Sequence, residues 1–241
     1  MFTASDLLPF NLSPEDVFEQ GDLVWVKKWN WDYEKAHSFQ RFCLKKLDSS
    51  PRKKVLIVCN HPRVFTNGRG LQKPRKGQVL DLVEFNPALS RELPYPLFQI
   101  ERGGGLTFHH PGQFIFYPIL KLSPLKLSLG QMIDEIFSVT KTILIDWGVT
   151  DLSTENVLMG IWKGNQKLAS MGIAIEKLTT FHGMALNIFE DRPMMDALKK
   201  LNPCGLSATT YTSVDQVLPD KTLSLEAFTD AFIQRINHAW K

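Results

Sequence analysis

Cys204 lies between proline and glycine in Lys200-Leu-Asn-Pro-Cys-Gly-Leu-Ser207. Proline and glycine both disfavour regular helix and strand, so the sulfur is expected at a fixed point on a sharp turn. A thiol there is either a loop residue without a role or a nucleophile held for attack, and this stretch alone leaves both open. Lys167, in Gly164-Asn-Gln-Lys-Leu-Ala-Ser-Met-Gly172, opens a predicted strand. Regular alternation puts Lys167, Ala169 and Met171 on one face and Leu168 and Ser170 on the other. Just after a hairpin a lysine ordinarily faces solvent, and from these residues alone that is the reading of Lys167. In Arg102-Gly-Gly-Gly-Leu-Thr-Phe-His-His-Pro-Gly-Gln113, four of the chain's 15 glycines fall within 12 residues. Such a run lets backbone approach a ligand closely, although it is neither a G-x-G-x-x-G fingerprint nor a P-loop. His182 and Gly183, in Thr179-Thr-Phe-His-Gly-Met-Ala-Leu-Asn187, precede an apolar run. A lone histidine in that place is more often structural than catalytic.

The elements that position these residues follow from periodicity. Tyr33 to Leu47 carries Ala36, Phe39, Phe42, Cys43 and Leu47 at helical spacing, which places Cys43 in the core. A longer helix is predicted from Ser128 to Trp147, with one continuous apolar face and Gly148 as its stop. Ser224 is the expected cap of a last helix bearing Phe228, Phe232, Ile236 and Trp240. Short strands are expected at Leu23–Val26, Val55–Cys59, Leu97–Glu101, Phe114–Leu120, Val157–Trp162, Lys167–Ile175 and Met184–Phe189. Lys163-Gly-Asn-Gln166 is a hairpin turn. Residues 1–21 read as an irregular lead-in to a single domain covering 22–241. Strands dominate the middle with a few long helices between them, an α+β pattern rather than strict βαβ winding.

Composition excludes several classes. The chain has 241 residues, ample for one full core, with 44% hydrophobic and 22% charged residues. Its formal charge of +3 is too small to argue for nucleic acid. Three cysteines without a C-x-x-C pair suggest neither a disulfide framework nor a zinc ribbon. No apolar run is long enough for a membrane span. The acidic, proline-broken N-terminus resembles neither a signal nor a transit peptide, so a cytoplasmic location is expected. His61, His109, His110 and His182 include an adjacent pair that cannot easily share one ion, so no metal site is expected from them. The basic clusters Arg52-Lys53-Lys54 and Lys73, Arg75, Lys76 read as solvated loops, with docking of an acidic protein as the alternative.

Taken in order, the motifs are more specific than any one of them. His61-Pro-Arg-Val-Phe-Thr-Asn-Gly-Arg69 comes first, then the glycine-rich segment ending His109-His-Pro-Gly-Gln113. Gly164 to Gly172, Phe181-His-Gly-Met-Ala-Leu-Asn187 and Asn202-Pro-Cys-Gly205 follow. In this order the chain resembles the octanoyltransferases of lipoate biosynthesis, relatives of the biotin and lipoate protein ligases. The resemblance implies one α+β domain with a mixed, largely antiparallel sheet and flanking helices. It implies transfer of an octanoyl or lipoyl group from acyl carrier protein to a lysine of lipoyl domains, in 2-oxoacid dehydrogenases or the glycine cleavage H protein. It implies passage through a cysteine thioester, without ATP or another cofactor. By position it puts the nucleophile at Cys204 and its lysine partner at Lys167. Substrate would be lined by Arg102, Gly103, Gly104, Gly105, Leu106, Thr107, Phe108 and His109, by Ser170, Met171 and Gly172, and by Gly183, Met184 and Ala185. The alternatives are an ATP-dependent lipoate or biotin ligase of the same fold, and a non-catalytic acyl-binding protein. Three residues depart from the family's pattern: Asn60, Gly105, and His110 in place of a small residue. They bear on the acyl pocket and leave the Cys204–Lys167 pair untouched.

Overall fold

The computed structural model describes residues 2–70, 93–155, 158–199 and 210–240. Cys204 with its turn, and the cluster of Lys73, Arg75 and Lys76, lie outside the described residues. The expected lead-in is structured. Helix α1 (Ala4–Leu7) starts at a capping box of Thr3 and Asp6, and a second box of Ser13 and Asp16 opens a 3-10 turn. Strand β1 (Val17–Gln20) then turns at Gly21, whose φ is +65°, and pairs antiparallel with β2 (Leu23–Lys28). The prolines that make this segment look irregular instead sit in the first positions of its 3-10 turns, where no amide hydrogen is needed.

Helix α2 (Tyr33–Ser49) crosses over to β3 (Lys54–Cys59), which runs parallel to β2. Next come β4 (Val64–Gly70), β5 (Leu97–Gln99), β6 (Gly104–His109) and β7 (Gln113–Leu120). A short α3 (Leu122–Leu125) precedes α4 (Leu129–Asp146), capped by Ser128 and ended at Gly148 with φ +102°. Strands β8 (Leu152–Glu155), β9 (Gly160–Lys163), β10 (Gln166–Glu176) and β11 (Thr179–Asn187) are followed by α5 (Arg192–Lys199), α6 (Val214–Val217) and α7 (Leu225–Ala239). An eight-stranded sheet has the order β1-β2-β3-β7-β11-β10-β9-β8, and a three-stranded sheet the order β5-β4-β6. Each sheet has one parallel pair, β2 with β3 and β4 with β5; the other neighbours are antiparallel.

The large sheet has a core on each face. Trp25, Phe114, Phe116, Met184 and Leu186 pack under α4 and α7 on one side. Val24, Val26, Ile57, Ile115 and Tyr117 pack under α2 on the other, with Cys43 and Cys59 as buried apolar groups. Phe228, Phe232, Ile236 and Trp240 are all buried, as the spacing on α7 requires. Two members of the first basic cluster are engaged locally. Lys53 Nζ lies 3.1 Å from Glu19 Oε2, and Lys54 Nζ donates to Trp240 O at 2.8 Å. Among the described residues no helix is long and apolar enough to cross a membrane.

Candidate active site

Regular alternation fails at Lys167. The pairing of β9 with β10 matches Lys167 with Trp162 and Ser170 with Gly160, and it shifts register between Lys167 and Ala169. Trp162 and Gly160 are two residues apart and share a face, so Lys167 and Ser170 share that face too. One extra residue, a β-bulge, makes the difference. Leu168 joins Ala169 and Met171 in the core under α4 and α7, and Lys167 turns to the side of Ser170 and Gly172. Lys167 is only 6% exposed, so the solvent-facing reading is overturned. Its ammonium lies 5.3 Å from the centre of the Trp162 ring, and its stem runs over Gly160.

From Lys167 the next two positions of β10 on this face are small. Ser170 pairs with Ala185 and Gly172 with Gly183. A Cβ on Gly172 would lie 2.9 Å from Arg102 Cδ and 3.0 Å from Gly103 O. The glycine-rich segment therefore runs directly across β10, and Gly103 N donates to Ile173 O at 3.2 Å. On its other side it lies against Gly68 of β4, where an added Cβ would meet Gly104 O at 2.3 Å. Arg102 is buried. Its Nη2 donates to Thr66 O and Thr66 Oγ1, both at 2.8 Å, and its Nη1 to Gly103 O at 3.0 Å.

The other expected lining residues divide by face. Met171 and Met184 point into the core under α4 and α7, leaving only their backbone to this side. Leu106 and Phe108 pack with Met194 and Leu198 of α5, and Thr107 lies between them on β6. His109 is buried against Tyr33, with ring centres 5.7 Å apart, and Gly105 is half-buried. Burial pushes the pKa of the His109 imidazole well below the usual range, and that of His61 down to about 4. His61 Nδ1 donates to Trp31 O at 2.7 Å and its Nε2 accepts from Tyr117 at 3.0 Å, a structural role.

A buried polar chain joins these segments. His109 Nδ1 donates to Gln113 Oε1 at 3.1 Å, and Gln113 Nε2 donates to Asn187 Oδ1 at 2.9 Å. Asn187 Nδ2 donates to Thr212 O at 3.0 Å, and Thr212 N to Lys167 O at 3.1 Å. Tyr211 forms a parallel bridge with Lys167. The chain thus returns from the segment containing Cys204 directly beside Lys167. Cys204 is seven residues before Tyr211, at most about 25 Å of extended chain.

A family profile described as the lipoyl protein ligase A/B catalytic domain matches residues 32–237. The chain belongs to this family. An octanoyltransferase from Synechococcus elongatus is 33% identical over 195 residues, covering 80% of this chain and 78% of that protein. One from a Nostoc species is 32% identical over 209 residues, covering 83% and 87%. Among solved structures, a lipoate-protein ligase A bound with ATP is similar with a TM-score of 0.61 at 15% identity, covering 91% of this chain and 85% of that one. That likeness speaks to the fold alone.

Within the family's catalytic domain, two of the three departures from the expected pattern, Asn60 and His110, have local explanations. Asn60 accepts from Asn30 N and donates to Pro111 O, both at 2.5 Å, tying a left-handed turn to the loop before β7. His110 stacks on Phe108 and accepts from Gly112 N at 3.2 Å. With Phe108, Asn187 and Tyr211 it lines a cavity of about 610 Å³. Gln113 and Asn187 stood in the quoted motifs without an assigned role. What marks them is that each is an amide at one end of a buried strand. Asn187→Ala is expected to leave Gln113 Nε2 and Thr212 O short of partners and to cost about 1–3 kcal/mol. A urea titration checks this, and an unchanged midpoint would contradict the network.

Proposed function

We propose that this chain transfers an octanoyl group from the thioester of an acyl carrier protein to a lysine of a lipoyl domain, through a thioester on Cys204 and without a nucleotide. The observation that carries this reading is the buried Lys167, turned by the bulge onto the face of Ser170 and Gly172 and held against Tyr211 and Thr212. The octanoyltransferase relatives support the acyl group, and the order of motifs supports the two residues.

Chemically, an unperturbed thiol is only a few per cent thiolate at neutral pH. Lowering its pKa from about 8.5 to about 7 takes roughly 2 kcal/mol. An ammonium at about 4 Å supplies on the order of 4 kcal/mol at an effective dielectric near 20, enough to prevail after some desolvation. The thiolate attacks the acyl carbon, the donor's C–S bond breaks, and the departing thiolate takes a proton from the Lys167 ammonium. Lys167 is then a neutral amine beside a neutral thioester. It accepts the proton of the acceptor amine as that nitrogen attacks, the amide forms, and the Cys204 thiolate is restored. The small residues Ser170 and Ala185 next to Lys167 leave that part of β10 and β11 without bulky side chains, while Gly172 is covered by Arg102 and Gly103.

The test combines protein, octanoyl-acyl carrier protein and apo lipoyl domain without nucleotide, read by intact mass. An octanoyl adduct on Cys204 that passes to the acceptor is expected. Octanoylation of the acceptor from free octanoate only when ATP is supplied would favour the ligase reading. Binding of the acyl donor with neither adduct nor product would favour a non-catalytic acyl-binding protein.

A further inference from the structure

We propose that His37 Nε2, Glu101 Oε2 and His182 Nε2 form a three-ligand site for a divalent first-row transition ion of the zinc type. The three residues come from α2, from the connection between β5 and β6, and from β11. Their ligand atoms all lie within 4.8 Å of one another. His37 Nε2 is 2.9 Å from Glu101 Oε2, and His182 Nε2 is 3.6 Å from the same oxygen. In tetrahedral zinc sites with bonds near 2.0–2.1 Å, ligand atoms stand about 3.3 Å apart, so only small side-chain shifts are required.

A second observation points to a missing partner. His182 is 2% exposed, yet its Nε2 is buried with no hydrogen-bond partner. The 3.6 Å separation from Glu101 is too long to supply one. An unsatisfied buried imidazole nitrogen is costly, and a metal ion would satisfy it. His182 also sits at φ +59°, an uncommon conformation for a residue other than glycine, and the backbone N–H donates to buried Gln40 at 2.8 Å. The backbone that carries the ring is therefore fixed in place. The two imidazoles lie nearly parallel, with centres 5.3 Å apart and planes at 16°, so binding requires the more exposed His37 ring to turn its Nε2 towards an ion in the plane of His182.

The chemistry of the donors agrees. Imidazole suits zinc, nickel, copper and iron, and two histidines with one carboxylate leave an open position for water. The surrounding charges do not compete for the ligand atoms. Arg41 Nη1 reaches the other carboxylate oxygen, Glu101 Oε1, at 3.6 Å, and is itself held by Glu176 at 2.6 Å. The Arg102 guanidinium is turned towards Thr66 and Gly103. His37 and Glu101 keep 23% and 29% of their side-chain surface in solvent, which gives the ion a way in. A bound ion would fasten α2 to the residue before the glycine-rich segment and to β11.

The test uses full-length protein in a Cys204→Ala background, so that the thiol contributes nothing. The protein is stripped with chelator and titrated with Zn²⁺ against a chromophoric competitor. One equivalent should bind, and Co²⁺ in its place should give the visible bands of a low-coordinate site. His37→Ala, at a half-exposed position, and Glu101→Gln, which keeps the volume, should each weaken Zn²⁺ binding by about 100-fold and abolish those bands. Circular dichroism of the metal-free variants should match the parent. Absence of stoichiometric Zn²⁺ binding, or binding that survives both substitutions, overturns the proposal.

Discussion

Lys167→Met is expected to slow octanoyl transfer by about 10³-fold while the protein stays folded. The magnitude combines a loss of thiolate with the loss of a general base, the latter ordinarily worth about 10²–10⁴-fold. Methionine keeps an unbranched apolar stem over Gly160 and against Trp162, so packing is largely preserved. Removing an ammonium that is 6% exposed also removes a desolvation cost. The melting temperature should therefore change little. Lys167→Arg separates the two roles. Arginine keeps the charge but does not give up its proton at working pH. Burst acylation of Cys204 should persist in part, and passage to the lipoyl domain should fail. Rapid-quench mass spectrometry reads both steps. A Lys167→Met protein that acylates and transfers at near the parent rate would remove Lys167 from the mechanism and leave the fold assignment untouched.

Much of the scaffold is legible in the chain because its helices are strongly periodic. Ser224 caps α7 as expected, α4 begins just after Ser128, which caps it, and Gly148 ends α4. The Lys163–Gln166 hairpin also follows from composition, since Gly164 takes φ +53°. The next hairpin does not. Its turn is Lys177-Leu178, and both residues adopt positive φ, at 49° and 63°, where neither side chain is favoured. With no glycine or asparagine to mark the turn, β11 was expected only from Met184, five residues after its start at Thr179.

The candidate site was legible by motif and illegible by alternation. Lys167 is a residue in an alternating strand until its pairing with β9 is known, and only the pairing reveals the extra residue at the bulge. Its burial is thus a tertiary fact with no local mark. The convergence of His37 with His182 is similar, because 145 positions separate them and α2 is otherwise an ordinary amphipathic helix. Gln113 and Asn187 lie between these cases. Polar residues at the ends of buried strands demand partners, but the sequence does not say that each finds the other.

Gly160→Ala tests the geometry on which the position of Lys167 depends, and its expected effect on stability is the largest considered. A Cβ at Gly160 would fall 2.0 Å from Ala169 O and 2.7 Å from Lys167 Cε. The second contact could be relieved by a flexible stem. The first is with backbone, and it can be relieved only by prising β9 from β10 at the bulge. Forced insertion into a packed site costs about 1–3 kcal/mol and occasionally more, and a backbone clash this short belongs at or above the upper end. Separation of the strands also moves Lys167, so transfer should fall together with stability. Two comparisons isolate the cause. Gly130→Ala, in the first turn of α4 with no atom outside the helix within 4 Å of the added carbon, should instead leave stability unchanged or raise it by up to about 0.5 kcal/mol. In a Lys167→Ala background the stem is gone but Ala169 O remains, so Gly160→Ala should still be costly there. Urea midpoints of the parent and the four variants, with transfer rates of the parent and Gly160→Ala, decide the matter: a Gly160→Ala protein as stable and as active as the parent is incompatible with a bulge that seats Lys167 over that glycine.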